Sequence, residues 1–440
     1  MSMFRREWAM KKAAIHNLGC KVNSYESESM QQMLQEAGYE IVSFNEQADV
    51  YVINTCTVTQ IADQKSRQMI SRAKKLNNDA IVVAAGCYVQ GDSEALKKCG
   101  ADILIGNNLK SHLIEMIDKY NLKRHQMVDV KDISQARQYE NMHLYDTKEH
   151  SRAFIKVQDG CNAFCTYCKI PYVRGRARSR AVEDIIDELK VVSQKGHREI
   201  VLTGIHLSSF GKDMDSSLIE LIERANEIEQ IERIRLGSLE PMIIDREFSK
   251  RLKKCEKICP HFHLSLQSGC DATLKRMNRH YTTEEYKMAL DILRSTFEHP
   301  AITTDVIVGF PGETDEEFEK TRSYLEQINL YQMHIFKFSR RKGTKAYDFA
   351  NQVDNNTKKA RSSILQDISD NNTKEFKKYY IDRDVEMFPE EEITYRNKKY
   401  IKGYTKEYIM SIAPSEYVIG KHALIRKAKS INEQGYLVLE

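Results

Sequence analysis

The sequence predicts an α/β protein with an amino-terminal doubly wound parallel sheet, a central partial (β/α)6 barrel and a small carboxyl-terminal β-barrel. Three observations predict this fold class. Apolar strand-like runs alternate with amphipathic helical segments over most of the chain, which is typical of parallel sheets. A polar, irregular stretch interrupts the alternation once, and short β-type runs replace it near the carboxyl end.

A chain of 440 residues is too long for one ordinary hydrophobic core. We expect an amino-terminal domain over 10–120, a linker over 121–146, the barrel over 147–376 and a last domain over 377–440. With 41% hydrophobic and 30% charged residues, and with no apolar run of membrane-spanning length or signal peptide, the composition predicts a cytoplasmic protein with no membrane partner.

Cysteines follow three predicted strands of the first domain. Cys20, Cys56 and Cys87 come directly after strand-like runs that end near Leu18, Thr55 and Gly86. The carboxyl ends of parallel strands meet at one edge of a sheet, where such folds place ligands, so we expect the three thiols to converge and hold a metal cluster. The alternative is that they are small residues at tight turns.

The central domain begins with a strand and the loop Cys161-Asn-Ala-Phe-Cys165-Thr-Tyr167-Cys168. Three thiolates in this spacing can hold a cubane iron–sulfur cluster and leave its fourth iron open to a small molecule. A zinc site is less compatible, because structural zinc sites usually combine two separated Cys-x-x-Cys or Cys-x-x-His pairs. Burial as apolar side chains is the remaining alternative.

A cationic tract follows the loop. It contains four alternating arginines, at Arg174, Arg176, Arg178 and Arg180. Such a tract can meet phosphates at the entrance of a site, so we predict that the four arginines bind a nucleic-acid substrate. The alternative is a solvated turn, and the net charge of +4 is too small to decide.

Glycines and polar residues stand at the carboxyl ends of the later predicted barrel strands. They are Gly204, Glu240, Gln267 and Gly309. The carboxyl ends of barrel strands carry the chemistry in α/β barrels, and glycine there permits close approach of a ligand. Ordinary turn geometry explains each of them equally well.

Five short strands are predicted after residue 377, as in a small β-barrel. The segment carries aromatic and basic side chains such as Tyr395, Arg396, Tyr400 and Tyr404, which suit looped or single-stranded RNA. A structural cap is the alternative, since Glu390, Glu391 and Glu392 interrupt the basic face.

The chain resembles the radical S-adenosylmethionine methylthiotransferases over nearly its whole length. The matching segments are Leu18-Gly-Cys-Lys-Val-Asn23, Asn54-Thr-Cys-Thr-Val-Thr59, Ala85-Gly-Cys-Tyr88, the Cys161 loop, Ile170-Pro-Tyr-Val-Arg-Gly-Arg176 and Asp305-Val-Ile-Val-Gly-Phe-Pro-Gly-Glu-Thr314. The resemblance implies two [4Fe-4S] clusters, a radical cluster on Cys161, Cys165 and Cys168 and an auxiliary cluster on Cys20, Cys56 and Cys87. It also implies S-adenosylmethionine near Tyr167, Gly204, Glu240, Gln267 and Gly309, and a carboxyl-terminal TRAM domain.

The motifs around Cys20 and Cys56 most resemble the branch that methylthiolates carbon 2 of N6-threonylcarbamoyladenosine at position 37 of tRNA. In that branch one S-adenosylmethionine supplies a methyl group and another supplies the radical. The resemblance implies the tRNA anticodon loop as partner, an electron donor such as flavodoxin or ferredoxin, and no DNA. The alternatives are the branches acting on N6-isopentenyladenosine or on a ribosomal-protein aspartate, and a non-enzymatic iron–sulfur or zinc protein that binds RNA. Ser265 and Cys270 are small departures from the family pattern.

Overall fold

The computed structural model describes residues 10–145, 152–417 and 422–440. The end of the predicted linker and the start of the predicted barrel domain, at 146–151, lie outside the described residues. The chain forms two compact units. Unit 1 comprises 10–145 together with Asp159–Asn162 and Cys168–Arg178, and unit 2 comprises the rest of the described chain.

Unit 1 is built on a six-stranded parallel sheet with the order β2-β1-β3-β4-β5-β6. Its central strands are buried along their whole length, as expected for a parallel sheet covered on both faces. The strands are β1 Lys12–Asn17, β2 Glu40–Ile41, β3 Val50–Thr55, β4 Ile81–Gly86, β5 Ile103–Ile105 and β6 Met127–Asp129.

Helices cover both faces of this sheet and create two apolar layers. One layer includes Leu34 of α1 and Leu113 of α5, and the other includes Ile70 of α2 and Leu96 of α4. This arrangement confirms the predicted doubly wound sheet. The helices are α1 Lys21–Glu36, α2 Gln60–Leu76, α3 Cys87–Gly91, α4 Ser93–Lys97 and α5 Leu113–Lys123.

Most of the segment predicted to be a linker belongs to unit 1. It contributes the edge strand β6 and two buried side chains, Met142 and Leu144, to the layer that α1 covers. The Tyr25 hydroxyl donates a 2.5 Å hydrogen bond to the Met142 carbonyl and fixes the segment there. The sequence did not indicate this because the segment has only a three-residue strand and two core side chains among polar residues. Such a segment has too little hydrophobic periodicity to predict a strand or a core contribution.

Unit 2 contains the six parallel strands predicted for a partial barrel. They are divided between two sheets, β10-β9-β7-β8 and β11-β12-β13, in which β8 is a short additional strand. Isolated parallel bridges at Ile234–Ile258 and Leu239–Leu264 connect the two. The strands are β7 Arg152–Asp159, β8 Arg178–Ser179, β9 Glu199–Gly204, β10 Arg233–Leu236, β11 His261–His263, β12 Ala301–Val308 and β13 Gln332–Lys337.

Amphipathic helices pack on the outer face of these strands and form one large core with them. Ser217 and Thr282 begin two of the helices with capping boxes, which define where the crossovers turn. After α6 Ile170–Arg174, which belongs to unit 1, the helices are α7 Val182–Gln194, α8 Leu218–Asn226, α9 Arg246–Lys254, α10 Asp271–Arg276, α11 Thr283–Thr296, α12 Asp315–Ile328 and α13 Asn355–Lys378. Among the described residues, no helix is long and apolar enough to cross a membrane.

The carboxyl-terminal part of unit 2 is the predicted five-stranded barrel. It closes in the order β14-β15-β16-β18-β17 around an apolar core that includes Val385, Met387 and Leu437. Arg396 and Asn397 both have positive φ at the tip of the first hairpin, the geometry of a tight two-residue turn. The strands are β14 Asp384–Tyr395, β15 Lys398–Thr405, β16 Met410–Pro414, β17 Leu424–Ile431 and β18 Leu437–Leu439.

Buried charges join this small barrel to the strands of the large one. Arg233, on β10, donates hydrogen bonds of 2.8 Å to Glu386 and 2.9 Å to the Tyr404 carbonyl. Arg235 donates to the carbonyls of Lys406 and Thr405, and both arginines pair with Glu199. We refer to Glu199, Arg233 and Arg235 as the docking cluster. Because these three side chains are buried away from water, their charges are stabilised by one another and by hydrogen bonds to the small barrel's backbone.

Candidate active site

Three cysteines of unit 1 meet at one edge of its sheet, as the sequence predicts. Cys20 precedes α1, Cys56 follows β3 and Cys87 begins α3, so they stand at the carboxyl ends of the adjacent strands β1, β3 and β4. Burial, together with the neighbouring Cys87 and Cys20 thiols, raises the pKa of the Cys56 thiol to about 11.

Gly19 allows the first two of these cysteines to approach. It has φ +116°, and a Cβ there would lie 3.0 Å from both Cβ and Sγ of Cys56. An L side chain would therefore be strained by its backbone conformation and crowded against the Cys56 sulfur.

Arg174 connects this cysteine set to a buried ion network in unit 1. Its side chain is fully buried, and its Nε donates a 3.2 Å hydrogen bond to Cys87 Sγ. Its other nitrogens donate to both carboxylate oxygens of Glu26, at 2.9 and 3.0 Å, and to those of Asp159 at 3.1 Å. Burial by itself lowers the pKa of Arg174, but the charges of Asp159, Cys87 and Glu26 outweigh it and hold the pKa well above its ordinary value.

Two asparagines complete the surroundings of the sulfurs. Asn107 donates from Nδ2 to Cys87 Sγ at 3.4 Å, and its Oδ1 accepts a 2.7 Å hydrogen bond from buried Lys110. Asn23 accepts from Arg174 at 2.6 Å and from the Cys20 thiol at 3.8 Å. Lys110 also lies 3.1 Å from Glu26, so charged and polar donors support one another around the cysteines.

This donor set fits an iron–sulfur cluster with three protein ligands. Cysteine sulfurs bind such clusters, and N–H donors to sulfur are among the features that tune them. Here the cationic Arg174 and the neutral Asn107 both donate to the same sulfur, that of Cys87. A sulfur carrying negative charge, as in a metal-bound thiolate, is stabilised by both.

The prediction that four arginines bind the substrate is wrong for three of them. Arg174 is fully buried in the network above, and Arg178 and Arg180 are each 1% exposed. Arg180 forms an ion pair with buried Glu188, and Arg178 donates to backbone carbonyls at 2.7 and 3.0 Å. The alternation of arginines reflects internal pairing and not an open basic surface. Only Arg176 of the four is exposed, so its contact with substrate stays a prediction.

In unit 1, the start of the Cys161 loop is held by a close crossing of the backbone. The Cys161 amide donates a 3.0 Å hydrogen bond to the Gly175 carbonyl. Gly160 has φ +71°, and a Cβ there would lie 1.9 Å from the Arg176 carbonyl oxygen. Glycine is therefore required immediately before the first cysteine of the loop.

In unit 2, the middle of the loop is anchored by residues just after α10. Asn278 donates to the Ala163 and Phe164 carbonyls at 3.0 and 3.2 Å, and the Thr166 amide donates to the Met277 carbonyl at 3.0 Å. Arg279 donates from Nη1 to Cys165 Sγ at 3.2 Å. Thus one arginine in each unit donates to a predicted cluster sulfur.

The residues predicted to contact the cofactor stand at the carboxyl ends of the unit 2 strands. Gly204 ends β9, Glu240 follows β10, Gln267 follows β11 and Gly309 follows β12. This common edge is where barrels of this class bind ligands. Tyr167 packs edge-on against Phe310, with 6.4 Å between ring centroids, and is thereby oriented beside the end of β12.

Glu240 is held ionised by two basic side chains. It forms an ion pair with Arg279, and His206 Nε2 lies 3.6 Å from its Oε1. Burial alone raises the pKa of Glu240, but His206 and Arg279 outweigh burial and lower it. Arg279 therefore connects Cys165, a predicted cluster ligand, to the carboxylate predicted to bind the cofactor.

Two glycine predictions have a steric explanation. A Cβ at Gly204 would lie 2.9 Å from Gln158 Oε1, and one at Gly309 would lie 2.3 Å from Lys358 Cγ. Gly309 also has φ +68°, and its amide donates a 2.6 Å hydrogen bond to Glu313. Close packing of the protein itself therefore already requires glycine at these two positions.

Sequence reasoning missed Arg279, Asn107 and the position of Arg174. Arg279 and Asn107 are separated from their cysteines by 114 and 20 residues and belong to no spacing motif. The contact between Arg174 and Cys87 spans 87 residues. Only the fold brings these donors to the sulfurs.

Each of the two cysteine sets lies in a part of the chain that matches a known protein family. Residues 12–106 match a family described as "Uncharacterized protein family UPF0004", and residues 155–325 match the radical SAM superfamily. The threonylcarbamoyladenosine tRNA methylthiotransferase MtaB of Bacillus subtilis is 40% identical over 427 residues, which are 96% of this chain and 94% of that protein. The chain belongs to the radical SAM methylthiotransferase family.

Further relatives extend this comparison. MtaB of Thermotoga maritima is 35% identical over 429 residues, 97% of this methylthiotransferase and 96% of that protein. The tRNA-2-methylthio-N(6)-dimethylallyladenosine synthase of Clostridium tetani is 36% identical over 387 residues, 86% of this chain and 85% of that one. These relatives confirm the resemblance to the radical SAM methylthiotransferases that the cysteine motifs predict. Within that family the chain is MtaB-like.

Solved structures show the same fold at low sequence identity. The radical S-adenosylmethionine methyltransferase TsrM of Kitasatospora setae superposes with a TM-score of 0.57 and 15% identity, covering 77% of each chain. The radical enzyme OxsB gives 0.51 with 12% identity over 82% of this methylthiotransferase and 56% of that chain. The predicted fold class is thereby confirmed.

Proposed function

We propose that this methylthiotransferase adds a methylthio group to carbon 2 of N6-threonylcarbamoyladenosine at position 37 of tRNA, using S-adenosylmethionine and two [4Fe-4S] clusters. The observation that carries this proposal is the combination of two three-cysteine sets with near full-length relatives named for that substrate. We further propose that the enzyme works in the cytoplasm and takes electrons from a flavodoxin or ferredoxin.

The two proposed ligand sets divide the chemistry between two clusters. Cys161, Cys165 and Cys168 would hold the cluster that cleaves S-adenosylmethionine, and Cys20, Cys56 and Cys87 would hold the cluster at which sulfur is added. Arg279 and Arg174 would each place a fixed positive charge against one ligand sulfur. Glu240, ionised and fixed by Arg279, would bind a cationic or hydroxyl group of S-adenosylmethionine.

The proposed reaction can be tested by mass spectrometry of tRNA nucleosides. A strain whose tRNA lacks the methylthio group on threonylcarbamoyladenosine, and which also makes isopentenyladenosine, would be complemented with this chain. We expect the methylthio form of threonylcarbamoyladenosine to appear and isopentenyladenosine to stay unmodified. Product on isopentenyladenosine alone would assign the chain to the branch of the Clostridium tetani relative instead.

The hairpin tip of the small barrel is proposed to contact tRNA. Arg396 is 72% exposed and lies over the Tyr395 ring, 5.3 Å from its centroid, so a basic and an aromatic group are presented together. Tyr404 is not part of this surface, because it stacks on Tyr408 at 4.4 Å and lies under Arg152. The assignment to the TRAM family stays a prediction.

We predict that Arg396→Glu weakens tRNA binding, because it replaces a cation beside the phosphates with an anion. A plot of the logarithm of the association constant against the logarithm of the salt concentration has a negative slope. Removal of one phosphate contact is expected to make this slope shallower by about 0.7–1. Fluorescence anisotropy with labelled tRNA at several salt concentrations measures both effects. Lys378→Glu is the matched control, since Lys378 is exposed and ion-paired with Glu375, as Arg396 is with Glu433, but lies on α13. Equal weakening by both variants would contradict a specific contact at the hairpin tip.

A further inference from the structure

Three potential metal ligands occupy one face of the sheet β11-β12-β13 in unit 2. They are His263 at the end of β11, Asp305 in β12 and His334 in β13. Asp305 and His334 are direct partners in the parallel register. Neighbouring Phe262, Val306 and Met333 pack into the helix-covered core, and side chains alternate along a strand, so the three ligands face away from that core.

The ligand atoms of this triad already lie close together. One nitrogen from each histidine and one carboxylate oxygen are all within 4.8 Å of one another, and His263 Nε2 is 3.5 Å from Asp305 Oδ2. Bonds of about 2.0–2.2 Å to zinc would place neighbouring ligand atoms about 3–3.6 Å apart. The pair His263 and Asp305 meets this spacing. His334 is the exposed member, and its ligand nitrogen lies within 4.8 Å of the other two ligand atoms.

Thr303 orients His263 in the manner of a supporting residue at a metal site. Its hydroxyl lies 3.0 Å from His263 Nδ1, which leaves Nε2 directed toward Asp305. Histidine ligands in metalloproteins commonly use their second nitrogen in such a hydrogen bond, which fixes the tautomer and the ring orientation. The His263 and His334 rings are also stacked, with centroids 5.8 Å apart.

We propose that His263, Asp305 and His334 form a binding site for a divalent transition metal ion such as Zn2+ or Fe2+, separate from both cysteine sets. Two imidazoles and one carboxylate are a known ligand combination for these ions, and three protein ligands leave coordination positions open. The ligands are nitrogen and oxygen atoms, in contrast to the sulfur ligands of the cluster cysteines. One carboxylate against a divalent ion leaves a net positive centre on this face, which would attract an anionic or carbonyl oxygen.

The site can be tested on the full-length protein with both clusters reconstituted under anaerobic conditions. Equilibrium dialysis against Zn2+, followed by elemental analysis, is expected to give one zinc per chain beyond the iron. Zinc-edge X-ray absorption is expected to show nitrogen and oxygen ligands without sulfur. His334→Gln is expected to weaken zinc binding at least tenfold, and Thr303→Val to weaken it by about 10-fold through the lost support of His263.

His422→Gln is the matched control, because His422 is an exposed histidine 3.1 Å from Glu232 that belongs to no group of three ligands in the described chain. It is expected to leave zinc binding unchanged. The proposal is overturned if the reconstituted wild type takes up no zinc, if His334→Gln binds zinc as the wild type does, or if the absorption spectrum shows sulfur ligands. Melting temperatures of the variants identify any loss of zinc that follows from unfolding, and His334, being exposed, is the substitution least disruptive to the fold.

Discussion

Replacement of Cys161 by alanine is expected to abolish cleavage of S-adenosylmethionine, whereas replacement of Cys56 is expected to spare cleavage and block methylthio transfer. The reason is that each substitution removes one ligand from a different three-cysteine set. Iron analysis of reconstituted protein is expected to fall from about eight irons per chain to about four in each variant. Release of 5′-deoxyadenosine and mass spectrometry of the tRNA measure the two activities separately.

Cys255→Ala provides the control for this pair. Like Cys56, Cys255 is buried, and burial raises the pKa of its thiol to about 11, yet it lies outside both cysteine sets. It is expected to retain about eight irons and both activities. Full product formation by Cys56→Ala would show that the sulfur-adding role assigned to the second set is wrong.

Arg174→Met is expected to destabilise unit 1 and to prevent assembly of the auxiliary cluster. The substitution leaves Asp159 and Glu26 buried with less compensating charge and removes a donor from Cys87 Sγ. Breaking a buried ion pair by removing one partner costs about 3–5 kcal/mol of folding free energy. Thermal unfolding and iron analysis report the two consequences, and iron is expected to fall to about four per chain.

Arg180→Met separates the electrostatic effect on the cluster from general destabilisation. Arg180 is also buried and pairs with Glu188, but it belongs to unit 2, whereas Cys20, Cys56 and Cys87 belong to unit 1. It is expected to lower the melting temperature while retaining about eight irons. Arg174→Lys keeps the charge without the planar fork, so partial retention of the auxiliary cluster is expected. A full iron count in Arg174→Met would contradict the proposed role.

The sequence was informative where chemistry depends on local spacing or on strand ends. The Cys161 loop brings its three predicted ligands within eight residues, and Cys20, Cys56 and Cys87 each follow a strand of one parallel sheet. Parallel strands bring their carboxyl ends to a common edge whatever the sequence distance between them. For this reason the doubly wound sheet, the six strands of the partial barrel and the convergence of the auxiliary cysteines could be predicted.

Burial of charge could not be predicted from the same patterns. Arg174 pairs with Glu26, which is 148 residues away, and an arginine in a cationic tract suggests a surface until that partner is known. The same holds for His263, Asp305 and His334, which come from three separate strands and carry no joint motif. Periodicity reports which residues are apolar, whereas pairing of buried polar groups is decided by the three-dimensional arrangement of distant segments.

The docking cluster fixes a distance within unit 2 that bears on which nucleotide of an RNA could reach the proposed cofactor site. Glu199, Arg233 and Arg235 tie the small barrel to the same strands whose opposite ends carry the proposed cofactor contacts. Separation of the two barrels would leave these charges without their partners, so the span between the hairpin tip and the cofactor end of unit 2 is effectively constant. Together with the tRNA contact proposed at the hairpin tip, a constant span would select the nucleotide that reaches the chemistry by its distance along the folded RNA from that contact.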